Sequence, residues 1–197
     1  MFLKSAQPLI LASTSLYRRE LLGRLGVPFS TQAPNIDESR LPGEEPAVLV
    51  ARLSLAKALK IAQNHPGTWV IGSDQAAVRD DAVLGKPGER NRCIEQLAES
   101  SGHRVRFLTG IALVNSAVPA PLSSLDTTWV KFRTLDPASI ERYVDRERPF
   151  DCAGGFKCEG LGISLFDSIE TSDPTALVGL PLIALSRLLR DAGYRVP

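Results

Sequence analysis

The stretch Pro8-Leu-Ile-Leu-Ala-Ser-Thr-Ser-Leu-Tyr-Arg-Arg-Glu-Leu-Leu22 constrains this chain more than any other. Residues 9–12 form a compact apolar run, which reads as a buried strand. Ser13-Thr14-Ser15 breaks the run and supplies N-cap chemistry. Residues 16–25 then follow a helical rhythm, with Leu21, Leu22 and Leu25 on a face shared with Arg18. With Ser15 as the cap, Arg18 occupies the third helical position, where a capping box would place Glu or Gln. Arg18 and Arg19 therefore set two positive charges beside the positive end of a helix dipole, a local conflict that a bound anion would relieve. Backbone N–H groups, the Ser13 and Ser15 hydroxyls and two guanidiniums together suit a phosphate. The same residues also make an ordinary capped helix with two solvated arginines, and the stretch alone leaves both readings open.

The chain has 197 residues, room for one domain or two closely joined lobes with a full core. A net charge of +1 with no basic run argues against binding nucleic-acid polymers non-specifically, while leaving a local phosphate pocket open. Cys93, Cys152 and Cys158 are odd in number and scattered, so no disulfide framework is expected. There is no C-x-x-C, and His65 and His103 lie far apart in sequence, so no zinc site is expected. The N-terminal apolar run is too short for a signal peptide, and nothing approaches a membrane span. These features suit a reducing cytoplasm.

Further along, Gly26 ends the first helix and residues 27–29 start an extended segment. Residues 33–45 form a polar loop holding Asp37, Glu38, Glu44 and Glu45. Pro46 fits the first position of a helix running to about Asn64. In it Val50, Leu53 and Ile61 share a stripe with Lys57, whose ammonium either snorkels to water, as spacing favours, or enters a cleft. Residues 68–71 read as a short strand ending in Gly72-Ser73-Asp74-Gln75. That would place Asp74 just past a carboxyl end, where open α/β sheets tend to hold ligand chemistry; a turn-capping Asp is the alternative. Leu84-Gly-Lys-Pro87 sets Lys86 on a rigid turn without the spacing of a P-loop. Residues 89–100 read as a helix with Ile94, Leu97 and Ala98 inward. Residues 104–114 and 127–132 read as a hairpin with a long, proline-punctuated loop. A helix from Asp136-Pro137 runs to about Arg146. A glycine-dense loop follows at 152–160. Residues 162–166 read as a short strand, Asp173-Pro174 starts a short helix, and residues 181–192 form the last helix, stopped by Gly193.

Ser13-x-Ser15-x-x-Arg18-Arg19, Asp37-Glu38, Lys57, Gly72-Ser73-Asp74, Gly85-Lys86-Pro87, Gly155-Phe156-Lys157-x-Glu159-Gly160 and Val178-Gly179-Leu180-Pro181 occur in this order. The ordered set, spread over nearly the whole chain, resembles the Maf family of nucleotide pyrophosphatases. The resemblance implies an α/β fold similar to that of inosine triphosphatases: a long mixed β-sheet flanked by helices, with two lobes around a cleft in a single domain over residues 1–197. It implies hydrolysis of a nucleoside triphosphate to monophosphate and pyrophosphate in the cytoplasm with a divalent cation, Mg or Mn. Ser13, Arg18, Arg19, Lys57 and Lys86 match phosphate-binding positions. Asp74 matches the base that would activate water at the α-phosphorus, and Glu38 a carboxylate near the metal. Lys157 sits in a matching loop. Cations and a metal ion suit the charge of a triphosphate undergoing transfer. Tyr17, Gln75 and Glu159 look like the branch acting on 7-methyl-GTP. N7-methylation makes guanine cationic, so an aromatic ring stacks on it well, and a carboxylate can accept from N1–H and the exocyclic amine together. The stacking residue in that branch is often Trp; here it is Tyr17. Gly155 stands where Ser is more frequent. A dTTP/UTP pyrophosphatase of the same family and a septum-regulating nucleotide sensor without turnover are the alternatives. The expected partner is a small nucleotide, with no nucleic acid polymer and no membrane; a homodimer is left open.

Overall fold

A computed structural model describes residues 8–197. Among the described residues seven strands form one mixed sheet in the order β2-β1-β3-β5-β6-β7, with β4 paired to β3 off this path. β1 (Leu9–Ala12) runs parallel to both β2 (Ser30–Thr31) and β3 (Trp69–Arg79). β4 (Ala82–Leu84), β5 (Arg104–Val114), β6 (Leu122–Phe132) and β7 (Phe166–Glu170) join by antiparallel pairing. The helices are α1 (Leu16–Gly23), α2 (Pro46–Ala62), α3 (Arg90–Ser100), α4 (Pro137–Glu147) and α5 (Leu182–Asp191). This is the expected mixed sheet flanked by helices. Among the described residues no helix is long and apolar enough to cross a membrane.

The two-residue period of β3 and β5 distributes the core. Their even-numbered residues, such as Val70, Ala76, Val78, Leu108 and Ala112, join apolar clusters with Val50, Ala58, Ile61 and Ala62 of α2. Odd-numbered residues face the opposite side and build two separate cores. Trp69, Ile71, Ile111 and Leu113 pack with Leu21 and Leu22 of α1 and Leu185 and Leu189 of α5. Ala77, Val105 and Phe107 pack with Leu97 of α3 and Ile140 and Val144 of α4. One helix thus covers one face, and two groups of helices cover the two ends of the other.

Several expectations are corrected. β3 continues to Arg79, so Asp74 lies inside a long strand and not past its end; Gly72 and Ser73 pair in an unbroken ladder with β5. β6 begins at Leu122, because pairing with β5 overrides the polar character of Ser123 and Ser124. Residues 162–165 are not a strand. They lie in a 3₁₀ turn, Leu161–Leu165, tied to the preceding loop by Gly162 N–H donating to Lys157 O at 3.0 Å. Asp173-Pro174 leads into a 3₁₀ turn, Ala176–Val178. In α3, Ala98 is exposed while Cys93 and Gln96 are buried, the Gln96 amide donating to Gly85 O at 3.1 Å.

Candidate active site

The site arises from a notch in the sheet. β1 pairs with β3 only as far as Ala12 and Gly72, and β4 takes up the same edge at Ala77 and Leu84. Among the described residues, no strand pairs with residues 73–76 on that edge. A cavity of about 850 Å³ opens there, lined by the β1–α1 turn, the middle of β3, Gly85 and Lys86, and the 151–159 loop. Its size lies within the range of small-molecule sites.

Because side chains alternate, Asp74 and Gln75 reach the notch from opposite faces of the sheet. Asp74 points to α2, where Lys57 Nζ donates to its Oδ1 at 2.6 Å. Lys57 is 5% exposed, so the cleft reading of its helical stripe is the observed one. The close approach rests on two glycines: a Cβ at Gly72 would lie 2.0 Å from Ser54 O, and one at Gly110 2.7 Å from Ser54 Oγ. Burial pushes the Asp74 carboxyl above its ordinary value, with the Lys57 ammonium and the Arg18 guanidinium pulling it back.

Glu38 Oε1 stands 3.0 Å from the same Lys57 Nζ. Its loop is fastened to α2 by a two-pronged pair, Arg52 Nε and Nη2 donating to Glu44 Oε1 and Oε2 at 2.6 and 2.8 Å. The Arg52 hydrogen bonds hold the Glu44 carboxyl down at about 2. Glu44 was legible only as one more acid in a polar loop. Two carboxylates therefore flank one ammonium. Among the described residues no group of three or more His, Cys, Asp and Glu side chains could hold a metal ion. The donor set fits a hard cation that takes one or two carboxylates and completes its shell with substrate phosphate and water, as Mg²⁺ does.

At the β1–α1 turn, Ser15 Oγ accepts from Arg18 N–H at 3.3 Å, the expected cap, and Ser13 Oγ accepts from Ser15 N–H at 3.1 Å. Both hydroxyls shape the turn and keep their own hydrogens to donate. The half-buried Arg18 donates its Nε to Gly179 O at 2.9 Å. Burial lowers its pKa, opposed by Asp74 and Glu38. Gly179 has φ +118°, and a Cβ there would come within 3.4 Å of Arg18 Nε, so glycine serves both backbone and neighbour. Lys86 lines the cavity from the exposed turn. Arg19 is exposed and does not line it.

Tyr17, Gln75 and Glu159 all line the cavity. Tyr17 is half-buried, and burial raises its pKa. Glu159 is exposed, and its Oε2 accepts from Cys158 Sγ at 3.5 Å. Its loop is anchored by Phe156, which meets Phe107, Phe132 and Phe166 edge-on at centroid distances of 5.2, 5.7 and 4.8 Å. Tyr143 Oη accepts from Lys157 N–H at 3.0 Å, and Glu147 Oε1 accepts from Leu161 N–H at 3.1 Å. Lys157 does not line the cavity; its Nζ donates to Glu147 O at 3.2 Å. Burial lowers the Lys157 pKa and the Tyr17 hydroxyl raises it, with a net upward shift. Burial pushes the lining thiols Cys152 and Cys158 up to about 12, so they stay protonated and are poor nucleophiles.

Thr109 and Gly110 escaped the sequence reading. Their signal was a Thr-Gly pair inside an apolar strand, where glycine marks a close approach of another backbone.

The sequence matches the family described as Maf-like protein over residues 8–192. It is 56% identical to a protein of Xanthomonas axonopodis pv. citri (strain 306) named 7-methyl-GTP pyrophosphatase, covering 96% of this chain and 98% of that one. Proteins of the same name from Alcanivorax borkumensis and Pseudomonas aeruginosa are each 53% identical, over 96% of this chain and 96% and 98% of theirs. The solved structure of the Staphylococcus aureus Ham1 protein aligns with a TM-score of 0.47 and 13% identity, over 79% of this chain and 90% of that one. The family match spans the strand–cap–helix stretch and the other quoted motifs, and the chain belongs to the Maf-like protein family.

Proposed function

We propose that this chain hydrolyses 7-methyl-GTP to 7-methyl-GMP and pyrophosphate. The observation that carries the reading is the buried Asp74 carboxylate, 2.6 Å from Lys57 Nζ, on the wall of a nucleotide-sized cavity. The names of relatives that are 53–56% identical support the same substrate.

In this reading the triphosphate lies along Ser13, Arg18, Lys57 and Lys86, whose donors and charges offset the polyanion. Arg19 contributes from the rim as a long-range charge. Asp74 orients a water and takes its proton as the water oxygen attacks the α-phosphorus. The bond from the α-phosphorus to the bridging oxygen breaks, and pyrophosphate leaves with that oxygen. Lys57 stabilises the ionised Asp74 before the attack and the leaving charge after it. Glu38 would hold a divalent cation, Mg or Mn, together with substrate phosphate, and when bound it supplies Lewis-acid neutralisation of phosphate charge. Tyr17 stacks on the cationic base, and Glu159 accepts from the guanine N1–H and exocyclic amine. Lys157 acts behind Tyr17 as its neighbour. Three free cysteines suit a reducing compartment, and a cytoplasmic setting belongs to this reading.

A pyrophosphate-release assay on 7-methyl-GTP, with and without Mg²⁺, tests the proposal. Metal-dependent release of equal amounts of 7-methyl-GMP and pyrophosphate is expected. Binding without turnover would replace the enzyme with a nucleotide sensor.

A further inference from the structure

The steps above leave unused two buried hydroxyls, one on β3 and one on β5. Ser73 and Thr109 are both 0% exposed and lie on odd-numbered positions, facing away from α2. A hydroxyl buried in a strand is costly unless it is bonded, and both bond to one segment, the 173–180 loop. Ser73 Oγ donates to Gly179 O at 3.0 Å, the carbonyl that also accepts from Arg18 Nε. Thr109 Oγ1 donates to Ala176 O at 2.9 Å and accepts from Gln75 Nε2 at 2.9 Å. Gln75 Nε2 is also 2.9 Å from Ala176 O and 3.1 Å from Leu177 O.

Three acceptors around that nitrogen fix the amide. Turned over, it would set Oε1 against two carbonyl oxygens. Oε1 is therefore the atom that Gln75 can offer, and the side chain presents an acceptor to the cavity it lines. The loop has its own anchor. Asp173 is 2% exposed; its Oδ1 accepts from Thr175 N–H and Oγ1–H at 2.9 and 2.6 Å, and its Oδ2 accepts from Ile183 N–H at 2.7 Å.

We propose that Ser73 and Thr109 are positioning residues for the two ends of the nucleotide. Ser73 holds the Gly179 carbonyl that aims Arg18 at the phosphates. Thr109 holds Gln75 with its oxygen toward the base, where it favours an edge carrying N–H donors. The inference rests on the nucleotide reading above, but its test can fail separately. Each hydroxyl is assigned one end through a different carbonyl of the same loop, Gly179 O for Ser73 and Ala176 O for Thr109, and a general packing role would not separate the two ends.

The experiment measures affinities of the parent chain, Ser73→Ala, Thr109→Val and Thr109→Ser by calorimetry. The probes are inorganic triphosphate, 7-methyl-GMP and UMP, with 7-methyl-GTP turnover followed alongside. Ser73→Ala should weaken triphosphate roughly 3–10-fold, the loss of one hydrogen bond, and leave the ratio of the two monophosphates unchanged. Ser73→Cys, with a weak donor of similar size, should fall between Ser73→Ala and the parent. Thr109→Val should leave triphosphate binding unchanged and lower the preference for 7-methyl-GMP over UMP by roughly 3–10-fold. Thr109→Ser keeps the hydroxyl, drops the methyl and should retain the preference; a packing role predicts the reverse order, with Ser worse than Val. Unchanged triphosphate affinity in Ser73→Ala, unchanged base preference in Thr109→Val, or loss at both ends in either variant overturns the proposal. A parent that binds these probes without turnover overturns the reaction alone, and the affinities still decide the positioning.

Discussion

Asp74 and Gln75 are neighbours in sequence and work on opposite faces of one strand. That alternation assigns a separate test to each role. Asp74→Asn removes the base and should lower kcat roughly 10²–10⁴-fold while nucleotide still binds; turnover within a few-fold of the parent would remove Asp74 from the reaction. The base acts only when ionised, so kcat/KM should rise with pH through the Asp74 pKa. Burial raises that pKa from 3.8, which moves the acid limb of the profile to higher pH than a solvated Asp would give. A pH series reads the displacement, and an acid limb at the ordinary Asp value would contradict it. Arg18→Ala, Lys57→Ala and Lys86→Ala should each raise KM or lower kcat, and Glu38→Ala should raise the Mg²⁺ concentration for half-maximal rate. Unchanged steady-state kinetics and metal titrations would remove these side chains from the reaction. At this scale the chain was partly legible. The Arg18 conflict with the helix dipole pointed to an anion, and Arg18 does stand at the cavity. The spacing around Lys57 favoured water, and the buried ammonium overturns that reading, because the choice is made by Gly72 and Gly110 on β3 and β5.

The active-site geometry depends on how tightly α2 lies on β3 and β5. A Cβ at Gly72 would lie 2.0 Å from Ser54 O and 2.7 Å from Ala58 N, both backbone atoms, whereas one at Gly110 would first meet the Ser54 and Val50 side chains at 2.7 and 2.9 Å, with Val50 O at 3.1 Å. Gly110→Ala should therefore cost about 1–3 kcal/mol as ordinary overpacking. Gly72→Ala should cost more and draw Lys57 away from Asp74. Thermal melts check the order, at roughly 2–4 °C per kcal/mol for a chain of this size; equal midpoints for the two variants would refute the close-packing account. Element identity was legible where a cap and a period agreed. Ser15 and Asp136 cap α1 and α4 with their side chains, and Pro46 opens α2 at its first turn. It failed where small polar residues sit inside a ladder. Gly72-Ser73 in β3 and Ser123-Ser124 in β6 look like punctuation in sequence, yet strand pairing holds them extended. The notch between β1 and β4 was beyond reach, since it depends on where two strands stop along a third.

Across the whole molecule, β3 and β5 run through both apolar cores on the face away from α2. We propose on that ground that the chain unfolds as one domain, its lobes joined by shared strands. Trp69 sits in one core and the helices α3 and α4 pack on the other, so tryptophan fluorescence and far-UV circular dichroism should give a single midpoint. Two separated transitions would split the lobes into independent units. β3 carries Asp74 and Gln75, and the notch along it gathers Ser13, Tyr17, Arg18, Lys57, Lys86 and Glu159 from the surrounding turn, helices and loops, which makes base choice a property of the assembled notch. Competition kinetics among 7-methyl-GTP, GTP, dTTP, UTP and CTP read that choice. Stacking of a cationic base on Tyr17 contributes roughly 2 kcal/mol, about thirtyfold, and an acidic partner left unpaired by a wrong base adds discrimination. 7-methyl-GTP should have the highest kcat/KM, and Glu159→Ala and Tyr17→Ala should flatten the preference. A parent enzyme that favours dTTP or UTP would contradict it.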